Sequence, residues 1–392
     1  MACALAGLPL RVALIEAVPF QSPQQPSYDE RCIALAYGSR RIFEGLGLWP
    51  LLAGQVTPIS SIHVSDRGHF GFARLAAQHY HYPAFGYVVE NSVLGQMFGP
   101  RLAQQTNLTL CCPARLQSLR CESGRATALI EQQGQQRTMT ARLVIGADGG
   151  RSQVREQAGI AATVADYQQS AIIANLSISQ PHRGQAFERF TDSGPLALLP
   201  LDGQRCSLVW TVARDAVAEV MALDDGAFLQ RLEQRFGRRL GRFIRIGRRH
   251  AYPLQLVSAA PHQVPRLALI GNAAHTLHPI AGQGFNLGIR DVAVLAQTIC
   301  DALQAGNDPG GSAVLAGYEQ WRQRDQRSII RLTDGLVRLF SNDLAPLVLA
   351  RSSALLALDL IPGLKRHFAR QTMGLAGRLP RLARGLPLAA GS

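Results

Sequence analysis

No stretch of the 392-residue chain approaches the roughly 18 uninterrupted apolar residues that cross a bilayer. The apolar opening, "MACALAGLPLRVALIEAV", lacks a basic start and is interrupted by Arg11 and Glu16. That pattern is not a secretory signal, and the cytoplasm is the expected location. Cysteines are few: Cys3, Cys32, Cys111, Cys112, Cys121, Cys206 and Cys300, an odd number with no C-x-x-C spacing. This argues against a disulfide framework or a metal site and for reduced thiols. Solenoid-period repeats are absent. So are helix-turn-helix, zinc and aromatic-basic stacking patterns, and no nucleic-acid partner is expected.

What is present is a globular composition, 47% hydrophobic and 17% charged, with length for two or three domains. The net charge is +13, and part of it gathers at the end. After Asp359 come Lys365, Arg366, Arg370, Arg378, Arg381 and Arg384 with no acid, alternating with Leu, Ile, Phe and Met. An interfacial helix on an anionic membrane is built this way; so is a solvated helical face.

The patterning switches along the chain. "LRVALIE" (10–16) reads as a buried strand ending in an acid, and "DERCIALAYGSRRIFEGLGL" (29–48) as a loop entering a helix. Short strands with Gly and aromatic punctuation fill about 59–89. "ENSVLGQMFGPRLAQQ" (90–105) is a helix pattern, and 108–147 reads as a strand, a hairpin and a further buried strand. A second β-rich block spans roughly 165–255, interrupted by a helix pattern, "GAFLQRLEQRF"; strand, loop and helices return from Leu267. Such alternation predicts two interleaved units rather than two sequential ones.

Three stretches could hold a nucleotide. Glu16, ending a buried strand, stands where a dinucleotide fold accepts from ribose hydroxyls, although any strand can end in Glu. "LVIGADGGRSQVRE" (143–156) runs from strand into Asp148-Gly149-Gly150 and then a helix, which suits an anion at the helix start and equally a D-G turn with a Ser cap. "IGNAAHTLHPIAGQGFNLGIRD" (270–291) is the most specific. Pro279 fixes the backbone, Gly282 and Gly284 flank Gln283 and clear space, and Asn286 and Gly288 follow on the helix. Its unpaired N–H groups then face whatever lies there.

Together these stretches resemble the flavin-dependent aromatic hydroxylases, the group A monooxygenases of the p-hydroxybenzoate hydroxylase fold, over essentially the whole chain to about residue 340. The resemblance implies a Rossmann-like α/β FAD-binding domain (1–58, 90–160 and 256–335) interleaved with an antiparallel β-sheet substrate domain (59–89 and 161–255), then a C-terminal helical, basic segment (336–392). It implies FAD, held by Glu16, Arg31, Asp148, Gly149, Asn272, Pro279, Gly282, Gln283, Gly284 and Asn286. It also implies NADPH or NADH as co-substrate, and oxygen transfer through a flavin hydroperoxide. "IALAYGSRRIFEGLGLW", "FERFTDSGPLALLP" and "HPIAGQGFNLGIRD" are most similar to the ubiquinone-pathway branch. The implied substrate is therefore a polyprenylated phenol such as 2-polyprenyl-6-methoxyphenol, with other ring positions and a non-catalytic scaffold subunit of a ubiquinone-synthesis assembly as alternatives. No W-x-W-x-I-P segment suggests a halogenase.

Two departures stand out. The family's first strand and G-x-G-x-x-G loop, which holds the FAD pyrophosphate, are missing and would lie upstream of Met1, as from a misplaced start codon. The parallel sheet is then expected to lose a central member, and FAD affinity to be poor. Asn272 stands where most of the family has Asp; an amide oxygen still accepts, so a charge-assisted bond becomes a neutral one. No catalytic base is assigned. His275 and His278 lie in the right loop, but a structural role is the commoner one for each. A prenyl tail is insoluble, so a membrane or a lipid-carrying partner must deliver it, placing the enzyme peripherally at the inner face.

Overall fold

The computed structural model describes residues 1–19, 31–340 and 344–388; residues 29 and 30 of the expected loop lie outside that range. The architecture is mixed α/β. Two short parallel pairs form one side: Val12–Ile15 with Leu108–Cys111, and Val144–Gly146 with Leu267–Leu269. Among the described residues these pairs share no hydrogen bond and belong to separate sheets. One apolar cluster spans the divide, joining Leu5, Leu8 and Val12 on one side to Ile145, Ala268 and Ile270 on the other. The 22-residue helix Gln283–Gln304 closes that cluster through Ala293, Val294, Leu295 and Ile299.

The other side is a nine-stranded, largely antiparallel sheet. Its long central strand, Ala162–Ile178, pairs with His250–Ala259 and with Arg205–Ala213. Farther out, Gly194–Pro200, Gln185–Thr191, Ser61–Asp66 and Phe72–Ala76 follow in order, so residues distant in sequence share one surface. Alternation decides its faces. Ile172, Ala174, Leu176, Leu208 and Trp210 are buried, and the amphipathic helix Asp225–Phe236 packs on them through Phe228, Leu232 and Phe236. Asp224 accepts from the Ala227 N–H at 2.8 Å and caps that helix. The arginine-rich run near 238–250 contributes a strand, Phe243–Ile246, with Ile244 and Arg245 turned outward.

One expectation changes in detail. Residues Cys32–Ala36 form a strand, antiparallel to Gly86–Glu90, and the helix begins only at Tyr37. The apolar spacing of Ile33 and Leu35 suited either period, and pairing with Val88 and Val89 selected the extended form. The chain ends in a 29-residue helix, Ser312–Phe340, and two shorter helices, Ala345–Leu360 and Pro362–Thr372. No single helix among the described residues is long and apolar enough to cross a membrane.

Candidate functional site: a glycine cradle between two sheets

The segment from Gly271 to Gly284 leaves the parallel strand Leu267–Leu269 and pairs at His275–Thr276 with the edge of the large sheet, opposite Val257 and Ser258. It therefore spans the junction of both layers. Ala281 (φ 54°) and Gly282 (φ 59°) are consecutive left-handed residues that turn the chain into helix Gln283–Gln304. A Cβ on Gly282 would stand 3.1 Å from that of Ala34, whereas one on Gly284 would meet nothing within 4 Å. The first turn of the helix thus opens onto free space with its N–H groups leading.

A buried polar core fixes this geometry. Asp291 accepts from the Gly271 N–H at 3.0 Å, from Arg322 Nε at 2.7 Å and from Gln326 Nε2 at 2.9 Å, and His275 Nε2 lies 2.6 Å from its Oδ2. Burial alone raises the Asp291 pKa, but His275 and Arg322 outweigh it and hold the carboxyl far below the usual range. His275 is thereby a pin between loop and helix. Asn286 is another. Its Oδ1 accepts from the Ala36 N–H at 2.8 Å and Ser39 Oγ at 2.7 Å, and its Nδ2 donates to the carbonyls of Ala34 and Gly282 at 2.8 and 2.7 Å. That amide is spent on protein partners.

His278 differs. It is fully buried, neither ring nitrogen has a partner among the described residues, and burial lowers its pKa to about 4, so the ring is neutral. The edge of Tyr167 meets it at 5.3 Å. Gln283 donates to the carbonyls of Ala281 and Thr372, while its buried Oε1 has no partner among the described residues.

The Asp148–Gly150 loop lies alongside. Asp148 accepts from Ser152 Oγ at 2.5 Å and from the Val154 N–H at 3.0 Å; Gly149 (φ 85°) faces open space. Arg155 joins the two loops, donating to Ala273 O at 2.8 Å and Gly150 O at 2.9 Å. Sequence reading passed over Arg155, although its position in "GRSQVRE" one turn past the glycines was the available signal. Asn272 is exposed beside this clamp, and Pro279 (φ −69°) opens the turn at Ile280–Gly282. Glu16 stands at the end of the other parallel pair, accepting from the Val18 N–H at 2.9 Å, and the Arg31 guanidinium lies 5.0 Å above the Tyr252 ring. Eight of the expected residues thus gather in two neighbouring loops and the first turn of helix Gln283–Gln304, and these two lie elsewhere.

The chain matches the FAD binding domain family over residues 27–333. It belongs to that family. It is 44% identical over 391 residues to the ubiquinone hydroxylase UbiL of Rhodospirillum rubrum, covering 99% of this chain and 90% of that one. It is 32% identical to 3-demethoxyubiquinol 3-hydroxylase of Escherichia coli (92% and 90% covered), and 30% identical to the mitochondrial ubiquinone biosynthesis monooxygenase COQ6 of Homo sapiens (94% and 88%). Among solved structures, p-nitrophenol 4-monooxygenase PnpA of Pseudomonas putida superposes with a TM-score of 0.78 at 17% identity, over 96% of this chain and 95% of that one. The protein is an FAD-dependent aromatic monooxygenase of the group that holds the ubiquinone hydroxylases.

FAD fits the flavin half of this site. The space before Gly284, the leading N–H groups and the orphaned nitrogens of His278 match a flat ring with carbonyl and nitrogen acceptors and donors along one edge. For the pyrophosphate half, no glycine-rich strand-to-helix turn precedes Val12 among the described residues.

The sheet adds a residue that sequence reading missed. On strand Gln185–Thr191, Ala186, Glu188 and Phe190 share a face, and Phe190 packs with Ile280 of the cradle turn. Among the described residues no cation pairs with Glu188; burial pushes its pKa up to about 7, opposed only by the Ala281 N–H. The signal was a single acid within the apolar stripe of "GQAFERFT".

Proposed function

We propose that this enzyme hydroxylates the ring of a prenylated phenol on the route to ubiquinone, with NADPH or NADH and O2 as co-substrates. 2-Polyprenyl-6-methoxyphenol is the specific candidate. The observation that carries the reading is the open cradle at Ala281–Gly284 facing Glu188 across the junction of the two layers. The names and similarity of UbiL, the 3-demethoxyubiquinol hydroxylase and COQ6 support the substrate class.

Bound FAD supplies the redox chemistry, accepting hydride and activating oxygen. The chain supplies placement and proton handling. Pro279 and Gly282–Gly284 would present backbone to the ring, Asn272 would accept from the ribityl chain, and Asp148–Gly149 would flank it. Glu16 would meet the ribose and Arg31 the pyrophosphate. Asn286 contributes through the cradle it ties rather than through its amide. Residues 59–89 and 161–255 act as the substrate domain against the discontinuous remainder. Glu188 takes the phenol proton. A carboxyl near 7 is a far better match to a phenol near 10 than an ordinary glutamate near 4.3, and the ionised phenol is the more nucleophilic ring.

The test supplies flavin, NAD(P)H and a set of prenylated phenols differing in ring substitution. The expected result is gain of one oxygen at a single carbon of one of them. No product from any phenol, together with a protein that takes up no flavin, would replace the reading by a scaffold role. For Glu188→Gln, turnover should fall and lose the rise through pH 7 that ionisation of the carboxyl gives the parent. An unchanged pH profile of turnover would remove Glu188 from the proton path.

A further inference from the structure

Helix Ala345–Leu360 carries only two charges, Arg351 and Asp359, and both are held by the protein. Arg351 is 3% exposed, with Nε donating to Asp66 at 2.7 Å, and its guanidinium lies over the Phe340 ring. Asp359 accepts from Lys365 Nζ and the Arg74 N–H, each at 2.8 Å. The outward stripe is left uncharged: Leu349, Ser353, Leu356 and Leu360 recur at spacings of 4, 3 and 4, with Ala350, Ala354 and Ala357 beside them. At Ile361 the chain turns by 96° into helix Pro362–Thr372. That corner exposes Leu360 (68%), Ile361 (47%) and Leu364 (49%). Immediately beyond, Arg366, His367 and Arg370 rim a cleft of about 350 Å³ with Gly363, Ala376 and Gly377.

An apolar corner bent by 96°, with no single helix long and apolar enough to cross a bilayer among the described residues and a cationic rim, has the composition of an interfacial element. We propose that the elbow at Leu360–Leu364 seats on an anionic phospholipid surface, its leucines among the acyl chains and Arg366 and Arg370 at the phosphates. Charge chooses the occupant. Seven Lys and Arg residues against one acid between 344 and 388 attract an anionic lipid face and repel a second copy of themselves. The position suits the prenylated substrate of the preceding reading, on which only the purpose of the docking rests. One apolar cluster runs from Leu355 on the elbow helix through Phe340 and Phe190, stacked at 3.6 Å, to Ile280 at the cradle turn.

Flotation of the flavin-loaded enzyme with phosphatidylcholine vesicles, with and without phosphatidylglycerol, tests this. Binding is expected on the anionic vesicles and should weaken as salt rises. Arg366→Gln with Arg370→Gln should lower it at least tenfold, at about fivefold per charge, and Leu360→Ser with Ile361→Ser should abolish it. Thermal melts and turnover of a short-chain, water-soluble phenol should match the parent in both variants. Absence from anionic vesicles, or binding indifferent to both pairs of substitutions, overturns the proposal. So does a dimer in light scattering that the same substitutions disperse. Vesicle binding without hydroxylation would instead count against the proposed function alone.

Discussion

Asn286→Ala separates two roles that the sequence pattern confounds, a ligand to the cofactor and a tie within the cradle. In the structure all four hydrogen bonds of the amide end on protein groups, at 2.7 to 2.8 Å, and Asn286 and Ser39 are each 1% exposed. Truncation leaves the Ala36 N–H and the Ser39 hydroxyl without this acceptor in a dry site, at about 1–3 kcal/mol each. The carbonyls of Ala34 and Gly282 retain a second lone pair, and their loss is smaller. The expected cost is about 2–6 kcal/mol, and it falls on the apoprotein. For a chain of this length, where 1 kcal/mol moves the midpoint by roughly 1 °C, the apoprotein Tm should drop by about 2–7 °C. Flavin affinity should fall as well, because the amide ties the Gly282 turn to Ala34. The assay is thermal unfolding with and without flavin, beside titration of free flavin. An apoprotein unchanged in Tm whose flavin affinity nonetheless collapses would show that the amide faces the ligand, and the argument from its bonding would be refuted.

Gly284→Ala is the converse case. A methyl there meets no protein atom within 4 Å, and alanine is the better helix former by about 0.8–1.0 kcal/mol. The apoprotein should be as stable or slightly more so while flavin binding weakens at least tenfold; undiminished binding in a flavin titration would place the ring elsewhere. Asp291→Asn strips the anion from a buried Arg322 and His275 and should destabilise by about 3–5 kcal/mol at pH 7. Because the folded pKa of Asp291 is depressed, its contribution is complete above the unfolded value near 3.9 and is lost as pH falls through the folded one. The variant should therefore lose less stability than the parent below about pH 4 in acid-unfolding curves, and parallel curves would contradict this.

The glycine turn of the candidate cradle was legible in the sequence because its requirement is local. A left-handed turn and a helix start with no side chain in the way need glycines at fixed spacing, and "GQGFN" states that need in five letters. The interleaving of two layers was legible for a similar reason, since apolar period and punctuation change where the chain passes from βα units into the large sheet. The strand at Cys32–Ala36 was not, because five apolar residues fit either period until Gly86–Glu90 supplied a partner. Arg155 and Glu188 escaped notice because their roles are set by what folding brings near them. Arg155 matters through Ala273, 118 residues away, and Glu188 through Ile280 and Ala281 on another layer.

The basic, leucine-rich end follows the same division. Its composition was plain in the sequence and compatible with a solvated face. Only the tertiary structure turned Arg351 and Asp359 inward onto Asp66, Lys365 and Arg74 and left the leucines of the elbow outside. Sequence determined the local chemistry, in glycines, caps and apolar periods, because those act within a turn or two of the chain. Which polar groups are spent on one another and which remain for a ligand was decided by long-range packing, since burial and partnership depend on segments that meet only in the folded molecule.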